Sequence, residues 1–202
     1  VQHGLTLGEL MLVINAHWNP TPAAIRVIAC EGYRRSMTWE ETGLPFVPPS
    51  PAMPHLSTAR QYPGACLVEG TNLSEGRGTA LPFEICGAPF IDAFALAAHL
   101  NAQEFAGVRF RPHLFTPTAS KYAGELCQGV QAHLIGTGFR PLLVWVGVIR
   151  ALRHLYPDQF AWQLPPDARQ PKHFDLLAGS DRLRTQLDAN LPLHDLAAEW
   201  DA

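Results

Sequence analysis

Apolar residues recur at helical spacing from Leu7 to Trp18, and Thr6 with Glu9 forms a capping box. The pattern predicts a helix that Asn19-Pro20 ends. Ile25 to Cys30 is a short β-branched run between turn formers and predicts a buried strand. From Thr42 to Pro63 prolines are too dense for a regular helix or central strand, while Leu44, Phe46, Val47, Met53 and Leu56 offer apolar anchors. An ordered loop is expected there. Ala65 to Glu69 and Phe83 to Cys86 predict two strands around a polar segment, and Ile91 to Asn101 predicts an amphipathic helix with Asp92 offsetting its macrodipole. Val108 to Phe115 alternates Val-Arg-Phe-Arg, which puts Arg109 and Arg111 on one face of an extended strand; Gly129 to Ile135 is a further strand candidate. Pro141 to Tyr156 predicts a helix whose first half is apolar all round and whose Arg150, Arg153 and His154 favour the dipole from the surface. Ser180 to Asp188, with Ser180 as cap, and Leu193 to Trp200 complete the helices. The elements imply an α+β (mixed α/β) fold: a mixed sheet covered by helices, with a long Pro-rich ordered loop.

Composition sharpens this picture in one respect. Apolar residues make up 47% of the 202, which suits one sizeable core and one domain over residues 1–202. Charged residues make up only 16%, against a usual ~25%, so part of the surface is expected to face a partner or sister domain. A net charge of −3 without a basic cluster beyond Arg34-Arg35 argues against nucleic acid as a partner. The longest apolar stretch, Leu142 to Ile149, is far short of the ~18–20 residues of a spanning helix, so no transmembrane segment is expected. The chain opens at Val1 without a secretory-signal pattern, and its true start is expected to be missing or processed. Cys30, Cys66, Cys86 and Cys127 contain no C-x-x-C, which excludes a zinc ribbon and favours buried free thiols over two disulfides.

Candidate chemistry concentrates in V-E-G-T-N-L-S-E-G-R-G-T, where Glu69, Glu75 and Arg77 are separated by glycines and small polar residues. Gly70, Gly76 and Gly78 permit positive φ and close approach to a ligand; the plainer reading is a polar turn with a salt-bridged hairpin. Glycoside hydrolysis uses two carboxyls, and Glu69 with Glu75 qualifies only if a turn at Gly70 to Asn72 folds the segment back. His55, His113 and His133 lie in different elements without ligand spacing, so neither a metal nor another cofactor is expected. G-x-S-x-G is absent, which disfavours Ser74 and Ser120 as nucleophiles. Lys121 beside Tyr122 in T-A-S-K-Y suits an anion or a proton donor, although an exposed lysine is usually just solvated.

The run TGLPFVPPSPAMPHLSTARQYPGACLVEGTNLSEGRGTALPFEICGAPFID, followed by FRPHLFTPTASKYAGELCQGVQAHL and FDLLAGSDRLR, resembles the NamZ/YbbC family of exo-β-N-acetylmuramidases. The resemblance runs in order from H-G-L-T-L-G-E at His3 to Trp200. It implies a two-part molecule, an N-terminal Rossmann-like domain and a C-terminal domain with the active site between them, of which this chain resembles the second. It implies peptidoglycan-derived glycan as substrate, with hydrolysis releasing N-acetylmuramic acid from the non-reducing end, and it favours an exported protein. The carboxylates it suggests are Glu75 first and Glu69 second. Because muramic acid carries a lactyl carboxylate, Arg77, Arg109, Arg111 and Lys121 are the candidate cations, with Asn72 and Tyr122 suited to the acetamido group and hydroxyls. A non-catalytic glycan-binding or scaffold module is the alternative.

Overall fold

The computed structural model describes residues 5–198 and Trp200. The chain gathers into two compact units, Val1–Val47 and Pro48–Ala202. In the first, helix α1 (Leu7–His17) carries the expected capping box, with Thr6 Oγ1 accepting from the Glu9 N–H and Glu9 accepting from the Thr6 N–H. Ile25 to Cys30 is not a strand: no backbone hydrogen bond joins it to a neighbour among the described residues, and Ile28 is 84% exposed. A strand is defined by its ladder, and none is available to this segment.

The second unit holds a three-stranded antiparallel sheet, β1 (Ile85–Ala88), β2 (Val108–Phe115) and β3 (Cys127–Leu134), in the order β1-β3-β2. Helices α2 (Leu56–Ala65), α3 (Ala93–Asn101) and α4 (Pro141–Leu155) surround its core, followed by α5 (His173–Ala178), α6 (Arg182–Asp188) and α7 (Leu193–Ala198). The α+β expectation holds, with the sheet wholly antiparallel rather than mixed. On β2, Val108 and Phe110 face the core while Arg109 and Arg111 stay exposed, as alternation requires. Helix α4 buries Val144 to Ile149 without a break, and Trp145 is fully enclosed. No helix among the described residues is long and apolar enough to cross a membrane.

Five further expectations are corrected. The Pro-rich stretch does not remain a loop to Pro63, because α2 begins at Leu56 and contains that proline. Pro63 stands in the last turn and forfeits a bond to Ala59 O, a cost offset by burial of Thr58, Ala59, Gln61 and Ala65. Ala65 to Glu69 is no strand: Cys66–Gly70 continues α2 as a 3-10 helix. Short apolar runs carry no period that separates the two. Strand β1 starts at Ile85, because Phe83 has φ 62° and Glu84 closes a turn onto Leu81. Arg153 is no free surface group: it donates to Leu187 O and Asp188 and stands over the Phe160 and Trp162 rings, tying α4 to α6. Helix α6 starts at Arg182 without a side-chain cap, so Ser180 plays no such part. All four cysteines are free thiols, with Cys86 and Cys127 buried, Cys66 half-buried and Cys30 exposed.

Candidate active site

Helix α2 runs directly into the 3-10 helix Cys66–Gly70, which delivers Glu69 at its end. The chain then crosses to β1 through a bridge between Ser74 and Gly87 and turns tightly over Gly76 and Gly78, both at left-handed φ near 80°. A Cβ on Gly76 would meet Ile85, and one on Gly78 would lie 2.4 Å from the Ala119 nitrogen. These glycines serve close packing of the protein on itself. Gly70 has no positive φ; it admits α5, since its Cβ would sit 2.5 Å from Phe174 Cα.

The turn brings both glutamates onto one guanidinium. Arg77 donates from Nε and Nη2 to Glu69 Oε1 at 2.8 and 2.6 Å, and its Nε lies 3.3 Å from Glu75 Oε1. Two oxygens held by one nitrogen in this way are at most about 6 Å apart, so the two carboxylates are near enough to act on one ligand. The Arg77 guanidinium also covers the Phe83 ring, 4.9 Å from its centroid. Lys121 reaches in from the β2–β3 loop, its Nζ 3.1 Å from Glu75 Oε2. Glu75 is almost closed off, its side chain 3% exposed, whereas Glu69 is 17% and Arg77 38% exposed.

These four side chains floor a cavity of about 430 Å³. Its opposite wall is Gln163, Leu164, Pro165, Pro166, Pro171 and Leu176, with Ser120, Gln170 and His173 completing the lining. The wall is pinned to the floor by the Gln163 N–H on Gly70 O at 2.8 Å and by the bridge between Thr71 and Trp162. One side is therefore charged and the other apolar, an arrangement suited to a sugar with one polar edge and one C–H face. The sequence reading missed this wall; three prolines within Gln163–Pro171 repeat the sign that singled out the earlier Pro-rich stretch.

Of the eight candidate residues, Glu69, Glu75, Arg77 and Lys121 meet in this cavity, and Asn72, Arg109, Arg111 and Tyr122 do not line it. Asn72 is engaged at both ends of its amide, donating to Gln159 O at 2.8 Å and accepting from the Ala161 N–H at 2.9 Å. Arg109 and Arg111 project from edge strand β2, where Arg111 donates to Gln131 Oε1 at 2.6 Å. Tyr122 packs beside Ile85, Phe115 and Cys127, and burial raises the pKa of its hydroxyl. His113 is pushed below the usual histidine value by burial, then by Arg111 and His133.

The model of the exo-β-N-acetylmuramidase NamZ C-terminal domain matches residues 60–202, and that of the NamZ N-terminal domain matches residues 1–57. The chain belongs to the NamZ family. It is 37% identical to the peptidoglycan β-N-acetylmuramidase NamZ of Bacillus subtilis (strain 168), over 100% of this chain and 47% of that protein. Two crystal structures of DUF1343 family proteins from Bacteroides fragilis resemble it. One has a TM-score of 0.81 at 30% identity, covering 96% of this chain and 51% of the other; the second has 0.61 at 26% identity, covering 98% and 51%. The chain thus spans about half the length of these relatives. Within the NamZ family match, the cavity floor and its apolar wall both fall in the C-terminal part.

Proposed function

We propose that this NamZ-family chain supplies one wall of the sugar-binding cleft of a peptidoglycan glycosidase that releases N-acetylmuramic acid from non-reducing glycan ends. The observation that carries the reading is the pair of carboxylates bridged by Arg77 at the floor of a half-apolar cavity. Arg77, the most exposed of the four floor residues, is the group suited to the lactyl carboxylate of muramic acid, which a planar guanidinium can grip with two N–H groups. Leu164, Pro165 and Leu176 suit the apolar face of the ring. Carboxylates held against Arg77 and Lys121 fit the base, nucleophile or ligand-holding part of the reaction, and the proton donor is assigned to an N-terminal Rossmann-like partner domain.

That partner is supported by the first unit. No residue between 5 and 57 is buried, and Leu7, Leu12, Trp18, Val27 and Ile28 are all exposed. So much open apolar surface is unusual unless something covers it. The match of residues 1–57 to the NamZ N-terminal model supports the reading that further N-terminal-domain sequence covers it.

The test is release of the chromophore from a chromogenic N-acetylmuramide. The chain alone is expected to release none, and addition of the N-terminal domain of the B. subtilis relative is expected to restore turnover that Glu69→Gln removes. Release by the chain alone would overturn the half-site reading. Loss of sugar affinity in Glu69→Gln with turnover per bound sugar unchanged would favour the non-catalytic glycan-binding module instead.

A further inference from the structure

Lys121 is one of only two lysines in the chain, the other being Lys172, against thirteen arginines. Its ammonium does not point freely into the cavity it borders. Nζ lies 2.9 Å from Leu73 O, 3.1 Å from Glu75 Oε2, 3.2 Å from Glu69 O and 3.4 Å from Val68 O, with the side chain 22% exposed. Val68 and Glu69 belong to the 3-10 helix Cys66–Gly70, at whose C-terminal end a cation is favourable; Val68 O is already taken by the Thr71 N–H and hydroxyl. The flanking residues are bent to deliver it. Ser120 and Tyr122 both hold left-handed φ, 69° and 59°, a conformation that residues with side chains avoid unless the surroundings impose it. The same loop is latched to the glutamate segment through Thr118, whose N–H and Oγ1 both donate to Gly78 O.

The two carboxylates are consequently in unequal states. Both Glu75 oxygens are occupied, Oε1 by Arg77 and Oε2 by Lys121. Glu69 gives only Oε1 to Arg77, and its Oε2 has no partner among the described residues.

We propose that Lys121 is a positioning residue, an internal cation that holds the carbonyls of Glu69 and Leu73, locks Glu75 as a fixed pedestal under Arg77, and leaves Glu69 as the carboxylate that meets the ligand. This rests on the glycosidase reading for the ligand's identity but not for the cage itself. It reverses the order suggested by the sequence, in which Glu75 stood first. A compact ammonium with three protons in a tetrahedral spread fits the three nearest acceptors, Leu73 O, Glu75 Oε2 and Glu69 O; a planar guanidinium does not.

The cage is tested on the chain without any sugar. In a sample labelled with 15N in lysine, Lys121 is expected to give a slowly exchanging ammonium resonance that survives Lys172→Arg. Fast exchange of both lysines in the wild-type chain would overturn the cage before any Lys121 variant is made. In Lys121→Met the Glu75 side-chain carboxyl 13C resonance is expected to move more than that of Glu69, and amide exchange at Thr71 and Leu73 to rise about tenfold or more, the scale of one charge-assisted hydrogen bond lost. Lys121→Arg is expected to restore neither. Full restoration by arginine, or an unmoved Glu75 resonance in Lys121→Met, would show that charge alone, or nothing, is supplied. The ligand clause is read separately by titrating N-acetylmuramic acid: Glu69→Gln is expected to weaken binding at least about tenfold with the ammonium signal intact. Binding that Glu69→Gln leaves unchanged would overturn the assignment of Glu69. A wild-type chain that keeps the ammonium signal yet binds no sugar would fail the glycosidase reading and leave the cage standing.

Discussion

Alanine at Gly78 separates backbone strain from packing at the site, because the chain contains its own control. Gly78 and Gly124 have nearly the same φ, 78° and 82°; Gly78 accepts the Thr118 latch, and Gly124 lies in the β2–β3 loop with its N–H on Pro117 O. A Cβ on Gly124 meets nothing within 4 Å, whereas one on Gly78 lies 2.4 Å from Ala119 N and 2.9 Å from Ala119 O and Thr118 N. Gly124→Ala therefore carries only the left-handed penalty, about 1–2 kcal/mol, partly offset by about 0.4–1 kcal/mol from the less flexible unfolded chain. Gly78→Ala adds an overpacking cost against backbone that cannot rotate away, about 1–3 kcal/mol. The difference between the variants is about 2 kcal/mol, which for a chain of this size is about 4–8 °C in Tm. Thermal and urea unfolding of both variants measure it directly. Gly78→Ala should also displace Lys121, so the lysine ammonium signal should broaden in that variant alone. Equal Tm losses, or a sharp ammonium signal in Gly78→Ala, would refute the tight docking of these loops.

Three further outcomes are expected. Glu84 is buried and accepts from Ser57 Oγ at 2.7 Å and Thr58 Oγ1 at 2.6 Å, pinning the first turn of α2. Glu84→Gln should cost about 2 kcal/mol in urea unfolding, and a loss under about 0.5 kcal/mol would contradict that anchoring role. Burial pushes the Cys66, Cys86 and Cys127 thiols up, to about 11, 12 and 11, while Cys30 is exposed. A thiol reagent at neutral pH should therefore modify Cys30 first and the other three only on unfolding, as peptide mapping would show. Arg35 holds the Glu9 carboxyl down to about 2, below its ordinary 4.5. A lowered carboxyl stabilises above the unfolded value and loses that contribution as pH falls through the folded one. Protection factors of the α1 amides, measured against intrinsic exchange at each pH, should thus fall between about pH 4.5 and 2 in the wild-type chain, and Glu9→Gln should remove that fall.

Where local pattern decides structure, the sequence was readable. Thr6 and Glu9 announce α1, Val-Arg-Phe-Arg announces β2 to the residue, and the all-round apolar run announces α4. Ile25 to Cys30 has strand composition, yet composition cannot supply the neighbour a strand pairs with. The 3-10 helix at Cys66–Gly70 and the six-residue α5 are too short to show a period. At the site, Glu69, Glu75 and Arg77 were legible because glycines and small polar residues set them close together in sequence. Long-range partners were not. Asn72 has the makings of a ligand contact until Gln159, 87 residues away, takes its amide. Lys121 has the makings of a solvated lysine until carbonyls 48 to 53 residues earlier surround it.

The central claim is that the Glu69–Arg77 floor recognises a sugar bearing a carboxylate, and the most direct measurement is a paired titration of the 15N-labelled chain with N-acetylmuramic acid and N-acetylglucosamine. These sugars differ by the lactyl group that Arg77 is assigned to hold. The account predicts that N-acetylmuramic acid shifts resonances around Glu69, Arg77, Gln163 and His173, binds at least about tenfold more tightly than N-acetylglucosamine, and loses that preference in Arg77→Met. Equal affinity for the two sugars, or a preference that survives Arg77→Met, would contradict it.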